Sequence, residues 1–194
     1  MNQDLNFESL ERSILIIFDL DETLIFSTKE LQDRFEDFKI GDFYVFKRPF
    51  LDSVLVNLSL YFSLAIWSSG TEDYVKDITE KLISTGVKFE FVWSRVNCTL
   101  HFDIDYNDYF YIKKIDKVRK FGFSREKILI VEDLYKNVHM NYGNAIIVSP
   151  FRGSDDNELL SLCNYLLTFK NIQNVLNIDK RNWLTKMISP DNLK

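Results

Sequence analysis

Ser13-Ile14-Leu15-Ile16-Ile17-Phe18-Asp19-Leu20-Asp21-Glu22-Thr23-Leu24-Ile25 is the stretch whose reading settles the fold. Ile14 to Phe18 form an unbroken apolar run, rich in β-branched side chains, that stops at Asp19. A strand of a parallel sheet looks like this, because helices cover both of its faces and neither tolerates a polar residue. Similar runs recur at 62–67, 127–131 and 145–148, and each ends in polar residues. Between them, at 50–60, 71–84, 112–121 and 155–169, apolar residues repeat at three- and four-residue spacing, as helices require. Strands alternating with helices imply right-handed crossovers and an α/β fold, an open, mostly parallel, Rossmann-like sheet flanked by helices.

Two segments break the alternation. Residues 26–47 end in the alternating Asp42-Phe43-Tyr44-Val45-Phe46-Lys47 and predict a loop plus a small β insertion after the first strand. Residues 89–111 predict short strands around an acidic stretch from Asp103 to Asp108. Neither is long enough for a large cap. Residues 1–12 are expected to be an N-terminal extension and 13–194 a single domain, with covering helices within 155–188.

Composition narrows the function. A chain of 194 residues, 46% hydrophobic and 15% aromatic, has ample material for one core. Its net charge of -5 argues against nucleic acid and anionic membrane as partners. Cys98 and Cys163 lie far apart, without the spacing of a disulfide framework or a zinc site. The longest N-terminal apolar run is too short for a membrane anchor or a signal peptide, so a reducing, cytoplasmic location is expected, or a nuclear one in a eukaryote.

In open α/β sheets the reactive groups gather beyond the carboxyl ends of the strands. There the sequence places Asp19 and Asp21 after the first run, Ser68-Ser69-Gly70 after the second and Glu132-Asp133 after the third, while Lys113 and Lys114 open the helix before that third run. Hydrolysis of a phosphate monoester demands positioning, charge neutralisation and proton transfer together. A carboxylate attacking a phosphate dianion at about 4 Å meets a repulsion of roughly 4 kcal/mol per unit-charge product at an effective dielectric near 20. A lysine and a dication would remove it, and Asp19 and Asp133 offer the hard oxygens that Mg²⁺ prefers. Asp21 is placed to protonate a leaving oxygen and then activate water.

Asp19-Leu-Asp-Glu-Thr-Leu-Ile resembles the first motif of the haloacid dehalogenase superfamily of phosphatases. With Lys47-Arg48-Pro49-Phe50, Trp67-Ser68-Ser69-Gly70, Tyr111-Ile112-Lys113-Lys114-Ile115 and Ile128 to Asp133 following in order, the chain from Ile14 to Phe169 is similar to the small RNA polymerase II C-terminal-domain phosphatases. The resemblance implies Asp19 as phosphorylated nucleophile, Asp21 as acid and base that also lends a backbone carbonyl to the metal, and Ser68 as the phosphate-binding hydroxyl. It implies Lys113 paired with Glu132, Asp133 completing the Mg²⁺ shell with Asp19 and Asp21, and Thr23 and Asn137 in support. Ser69 is expected to offer a backbone contact. The implied substrate is a phosphoserine or phosphothreonine in a protein or peptide; the chain is expected to be a monomer. This sequence departs from the family in Ser68 for Thr, Glu132 for Asp, and Leu134-Tyr135 for a frequent Ser-Pro. The alternatives are a phosphatase for small metabolites or nucleic-acid ends, and a phosphate-binding scaffold without turnover.

His101 and His139 are isolated in sequence, and the Asp103, Asp105 and Asp108 cluster lacks the glycine and terminal glutamate of a calcium loop. All are expected to be structural or solvated.

Overall fold

The computed structural model describes residues 13–82, 86–104 and 107–188. The expected N-terminal extension, the last two residues of the 71–84 helix and Asp105 lie outside them. The first apolar run is strand β1 (Leu15–Phe18), buried along its whole length. It lies at the centre of a five-stranded parallel sheet with β5 (Ser63–Trp67), β6 (Phe89–Trp93), β9 (Ile128–Glu132) and β10 (Ala145–Ile147), in the order β10-β9-β1-β5-β6. The strand order reverses between β1 and β9. That switch point is where an open sheet leaves a crevice.

Side chains alternate across the sheet, so β1 feeds two cores. Ile14, Ile16 and Phe18 face α1 (Leu51–Ser59), α2 (Glu72–Leu82) and α4 (Glu158–Leu167), whereas Leu15 and Ile17 face an aromatic cluster on the opposite side. In that cluster Trp67 meets Trp93 edge-on at 4.8 Å, and Phe91 stacks on Phe121 at 4.9 Å.

The small insertion after β1 is a three-stranded antiparallel sheet of β2 (Ile25–Thr28), β4 (Phe43–Lys47) and β3 (Phe38–Ile40). The second irregular segment divides. Phe89–Trp93 joins the main sheet as its edge strand, and only β7 (Thr99–Asp103) and β8 (Asp108–Ile112) form a separate hairpin.

Two helical expectations are corrected. Residues 112–121 hold no α-helix: Ile112 ends β8, Lys113 lies on a connecting loop, and Ile115–Phe121 is a 3₁₀ helix closed by Gly122 at φ 84°. Lys113 therefore does not open a helix. The covering helices expected within 155–188 are also interrupted: after α4 come a 3₁₀ turn at Val175–Asn177 and the short α5 (Trp183–Ile188). Lys180 holds this segment in place. Its buried ammonium donates to the carbonyls of Gly143 at 2.6 Å, Ile178 at 2.9 Å and Val175, one acceptor for each proton. Replacing Lys180 by Met should strand those carbonyls and cost about 3 kcal/mol in denaturant unfolding, whereas a change below about 0.5 kcal/mol would show the clamp to be dispensable.

Candidate active site

The turn after β1 places the first carboxylates. The Leu20 carbonyl accepts from the amides of Thr23, Leu24 and Ile25, at 3.3, 2.8 and 3.0 Å, and Glu22 takes a left-handed φ of 61°. Leu20 is thereby driven into the core while Asp19 and Asp21 stay at the crevice. The Glu22 carboxylate pairs with Arg152 at the rim.

Lys113 is fully buried between two of the carboxylates. Its Nζ donates to Asp19 Oδ1 and, at 2.6 Å, to Glu132 Oε2. Its backbone is pinned as firmly: the Lys113 amide donates at 2.8 Å to the carbonyl of Asn137, in the short helix α3 (Tyr135–Val138), and the Asn141 side chain donates to the Lys113 carbonyl while accepting from the Ile115 amide at 3.2 Å. Asn137 Nδ2 also donates to Glu132 Oε1 at 3.2 Å. Glu132 is the last residue of β9, not the first after it, so its side chain is spent on Lys113 and Asn137, and Asp133 is the carboxylate that follows the strand. Thr23 Oγ1 reaches Asp133 Oδ1 at 3.4 Å.

On the other side of β1, Ser68 follows β5 and its amide donates a hydrogen bond to the Trp93 carbonyl at 2.9 Å, while its buried hydroxyl accepts from the Gly70 amide at 2.9 Å. Ser69 buries its hydroxyl, which has no hydrogen-bond partner among the described residues, and gives its carbonyl to Arg95 Nε at 2.7 Å.

Four carboxylates, Asp19, Asp21, Glu132 and Asp133, thus share the site with one buried ammonium, which bonds to Asp19 and Glu132. Burial first, and the Glu132 charge second, push Asp19 up to about 8 against the pull of Lys113. Burial also raises Asp21 and Glu132, and burial together with the Asp19 charge raises Asp133. For Lys113, burial alone would lower the ammonium, but Asp19 and Glu132 outweigh it and hold the charge in place. Oxygens of Asp19, Glu132 and Asp133 lie within 4.8 Å of one another. A hard dication fits this set: the donors are carboxylates, the negative charge is in excess, and with both Glu132 oxygens taken, by Lys113 and Asn137, while Lys113 addresses only one oxygen of Asp19, the ligands would be Asp19 and Asp133.

The excess has a consequence for stability. A carboxyl whose folded-state pKa is raised binds its proton more tightly in the folded chain, so its contribution is complete below the unfolded value and is lost as pH climbs to the folded one. The metal-free protein should therefore melt progressively lower from about pH 4 to about pH 8. At pH 8, Mg²⁺ at 100 times its dissociation constant should restore about 2.7 kcal/mol, roughly 5–10 °C. A melting temperature indifferent to Mg²⁺ at pH 8 would remove the metal assignment.

Comparison with known proteins fits the same geometry. The profile of the NLI interacting factor-like phosphatases matches residues 14–176. The chain belongs to this family. It is 27% identical over 170 residues to CTD small phosphatase-like protein 2 of Dictyostelium discoideum, covering 84% of this chain and 28% of that one. It is 27% identical over 144 residues to the mitochondrial import inner membrane translocase subunit TIM50 of Kluyveromyces lactis, covering 74% of this chain and 28% of that one. It thus spans under a third of the length of either relative. In fold it matches the fission yeast RNA polymerase II CTD phosphatase Fcp1 at a TM-score of 0.51 and 18% identity, over 84% of this chain and 52% of that one. The resemblance read from the motifs is that of this family, and the open parallel sheet is the fold it shares.

Three members of the constellation were not visible in the sequence. Asn141, Ser27 and Tyr74 reach the site only through tertiary contacts, Asn141 by holding the Lys113 backbone and the other two by bonding to Asp21 Oδ1. Arg48 falls in a quoted motif, but its part is structural. The buried guanidinium donates to the Thr23 carbonyl at 3.1 Å and to Asp156 at 2.9 Å, and it lies 3.3 Å from Glu158, tying the turn after β1 to the start of α4. Among the described residues no helix is long and apolar enough to cross a membrane.

Proposed function

We propose that this chain is a Mg²⁺-dependent phosphatase that hydrolyses phosphoserine or phosphothreonine in a protein or peptide segment through an aspartyl-phosphate on Asp19. The observation that carries the reading is the buried Lys113, held between Asp19 and Glu132 at the topological switch point with Asp133 alongside. In the first step an Asp19 carboxylate oxygen bonds to phosphorus, the bond from phosphorus to the leaving oxygen breaks, and the Asp21 carboxyl proton passes to that oxygen. In the second, the Asp21 carboxylate takes a proton from water, the water oxygen bonds to phosphorus and the bond to Asp19 breaks, which frees phosphate and returns Asp21 to its acid form. Lys113 neutralises charge at Asp19 in both steps, and the Ser68 hydroxyl is a donor for a phosphate oxygen. Bound Mg²⁺, held by Asp19 and Asp133 with the Asp21 backbone carbonyl, would supply further charge neutralisation for the phosphate.

A protein substrate is favoured because both insertions are small ribbons, with strands of three to five residues. Such ribbons suit an extended peptide better than a metabolite that must be enclosed. The deciding experiment is phosphate release from p-nitrophenyl phosphate with and without Mg²⁺, followed by a panel of phosphopeptides, sugar phosphates and 5′-phosphorylated oligonucleotides. Mg²⁺-dependent release with preference for phosphopeptides is expected. Turnover of sugar phosphates or oligonucleotides alone would overturn the substrate class. Phosphopeptide binding without any release would favour a scaffold, the reading that similarity to a translocase subunit keeps in view.

A further inference from the structure

Tyr74 stands in the first turn of α2, and its hydroxyl donates to Asp21 Oδ1 at 2.5 Å. The hydroxyl of Ser27, on β2 of the insertion, donates to the same oxygen at 3.1 Å, and the two hydroxyls touch each other. Among the described residues no side chain donates to Asp21 Oδ2. The carboxyl is thus fixed by one oxygen and open at the other.

The fold makes room for this contact. A Cβ on Gly70 would lie 2.9 Å from the Tyr74 ring and 3.2 Å from Ser68 Oγ, so only a residue without a side chain lets the ring pass the Ser68-Ser69-Gly70 loop and reach Asp21. On its far side the ring meets Phe43 of β4 edge-on at 6.0 Å. Tyr74 is therefore braced by the phosphate-binding loop and by the insertion sheet at once.

We propose that Tyr74, seconded by Ser27, is the positioning residue for Asp21: together the two hydroxyls fix Oδ1 so that Oδ2 is presented first to the leaving oxygen and then to water. The proposal rests on the reading of Asp21 as acid and base. A carboxyl turns easily about its last torsion, where the rotamer wells are broad. A group that must give a proton in one step and take one in the next loses rate whenever it turns away. Two donors on one oxygen remove that freedom without occupying the other.

The test is Tyr74→Phe, which keeps the ring against Phe43 and Gly70 and deletes only the hydroxyl. It is assayed as kcat/KM on p-nitrophenyl phosphate, whose leaving group departs readily, and on phenyl phosphate, whose leaving group needs a proton. With phenyl phosphate kcat/KM should fall roughly 100-fold, and with p-nitrophenyl phosphate less than about 10-fold, with KM nearly unchanged. Ser27→Ala should shift the same contrast in the same direction by less, and it carries the test should Tyr74→Phe fail to fold. Equal losses on both substrates, or a change in KM alone, would overturn the positioning role while leaving the phosphatase reading intact. A native chain inert on both substrates would overturn the phosphatase reading, and this inference with it.

Discussion

Asp19→Asn should abolish phosphate release, lowering kcat by roughly 10⁴-fold or more, with no loss of fold. An amide oxygen neither carries the charge nor has the nucleophilicity to displace an alkoxide from phosphorus, and a neutral side chain binds a dication far less well. The fold should survive because Lys113 keeps Glu132 at 2.6 Å, and because the substitution removes one of the clustered carboxylates. Since the Asp19 carboxyl is pushed up to about 8, metal-free Asp19→Asn should melt no lower than the native chain at pH 8 and should lose most of the native fall in melting temperature between about pH 4 and that point. Phosphate release and thermal melting on the same sample separate chemistry from folding. Substantial residual turnover by a folded Asp19→Asn would end the covalent mechanism and point to direct attack by water.

This outcome turns on a residue that the sequence made plain, and the reason is local. Asp19, Asp21 and Thr23 follow an apolar strand within one tight turn, so chain connectivity alone brings them to the carboxyl end of the sheet. Ser68, Glu132 and Asp133 are also placed by the ends of their strands, which sequence periodicity locates well. The rest of the site depends on contacts across the chain. Tyr74 lies 53 residues from Asp21, and its meeting with it needs both a bare Gly70 and the insertion sheet folded against α2. Asn141 matters through the Lys113 backbone, a role that no spacing announces. The same limit explains the corrected elements. Ile115 and Val118 are buried at three-residue spacing, which suits a 3₁₀ helix as well as an α-helix, and hydrogen bonding decides between them. Phe89–Trp93 lacked the unbroken apolar pattern of the other strands because, as the edge strand, it leaves Glu90 and Val92 exposed.

Lys113→Met should be the most damaging substitution to stability. It leaves Asp19 and Glu132 in the protein interior without the ammonium that both address, and breaking a buried ion pair from one side costs about 3–5 kcal/mol. Protonation of one or both carboxyls would recover part of this, so the deficit should widen with pH, the direction in which both groups already resist ionisation. Adding Glu132→Gln should restore a large share of the stability, since a neutral amide can still face Asn137 and no longer repels Asp19. It should restore none of the activity, because the charge that offsets the phosphate would still be missing. The double-mutant cycle, read by chemical denaturation and by phosphate release on the same proteins, divides the work of Lys113 between fold and chemistry. Activity returning together with stability would mean that Lys113 serves only to hold Glu132 in place, and the neutralising role would have to pass to the metal alone.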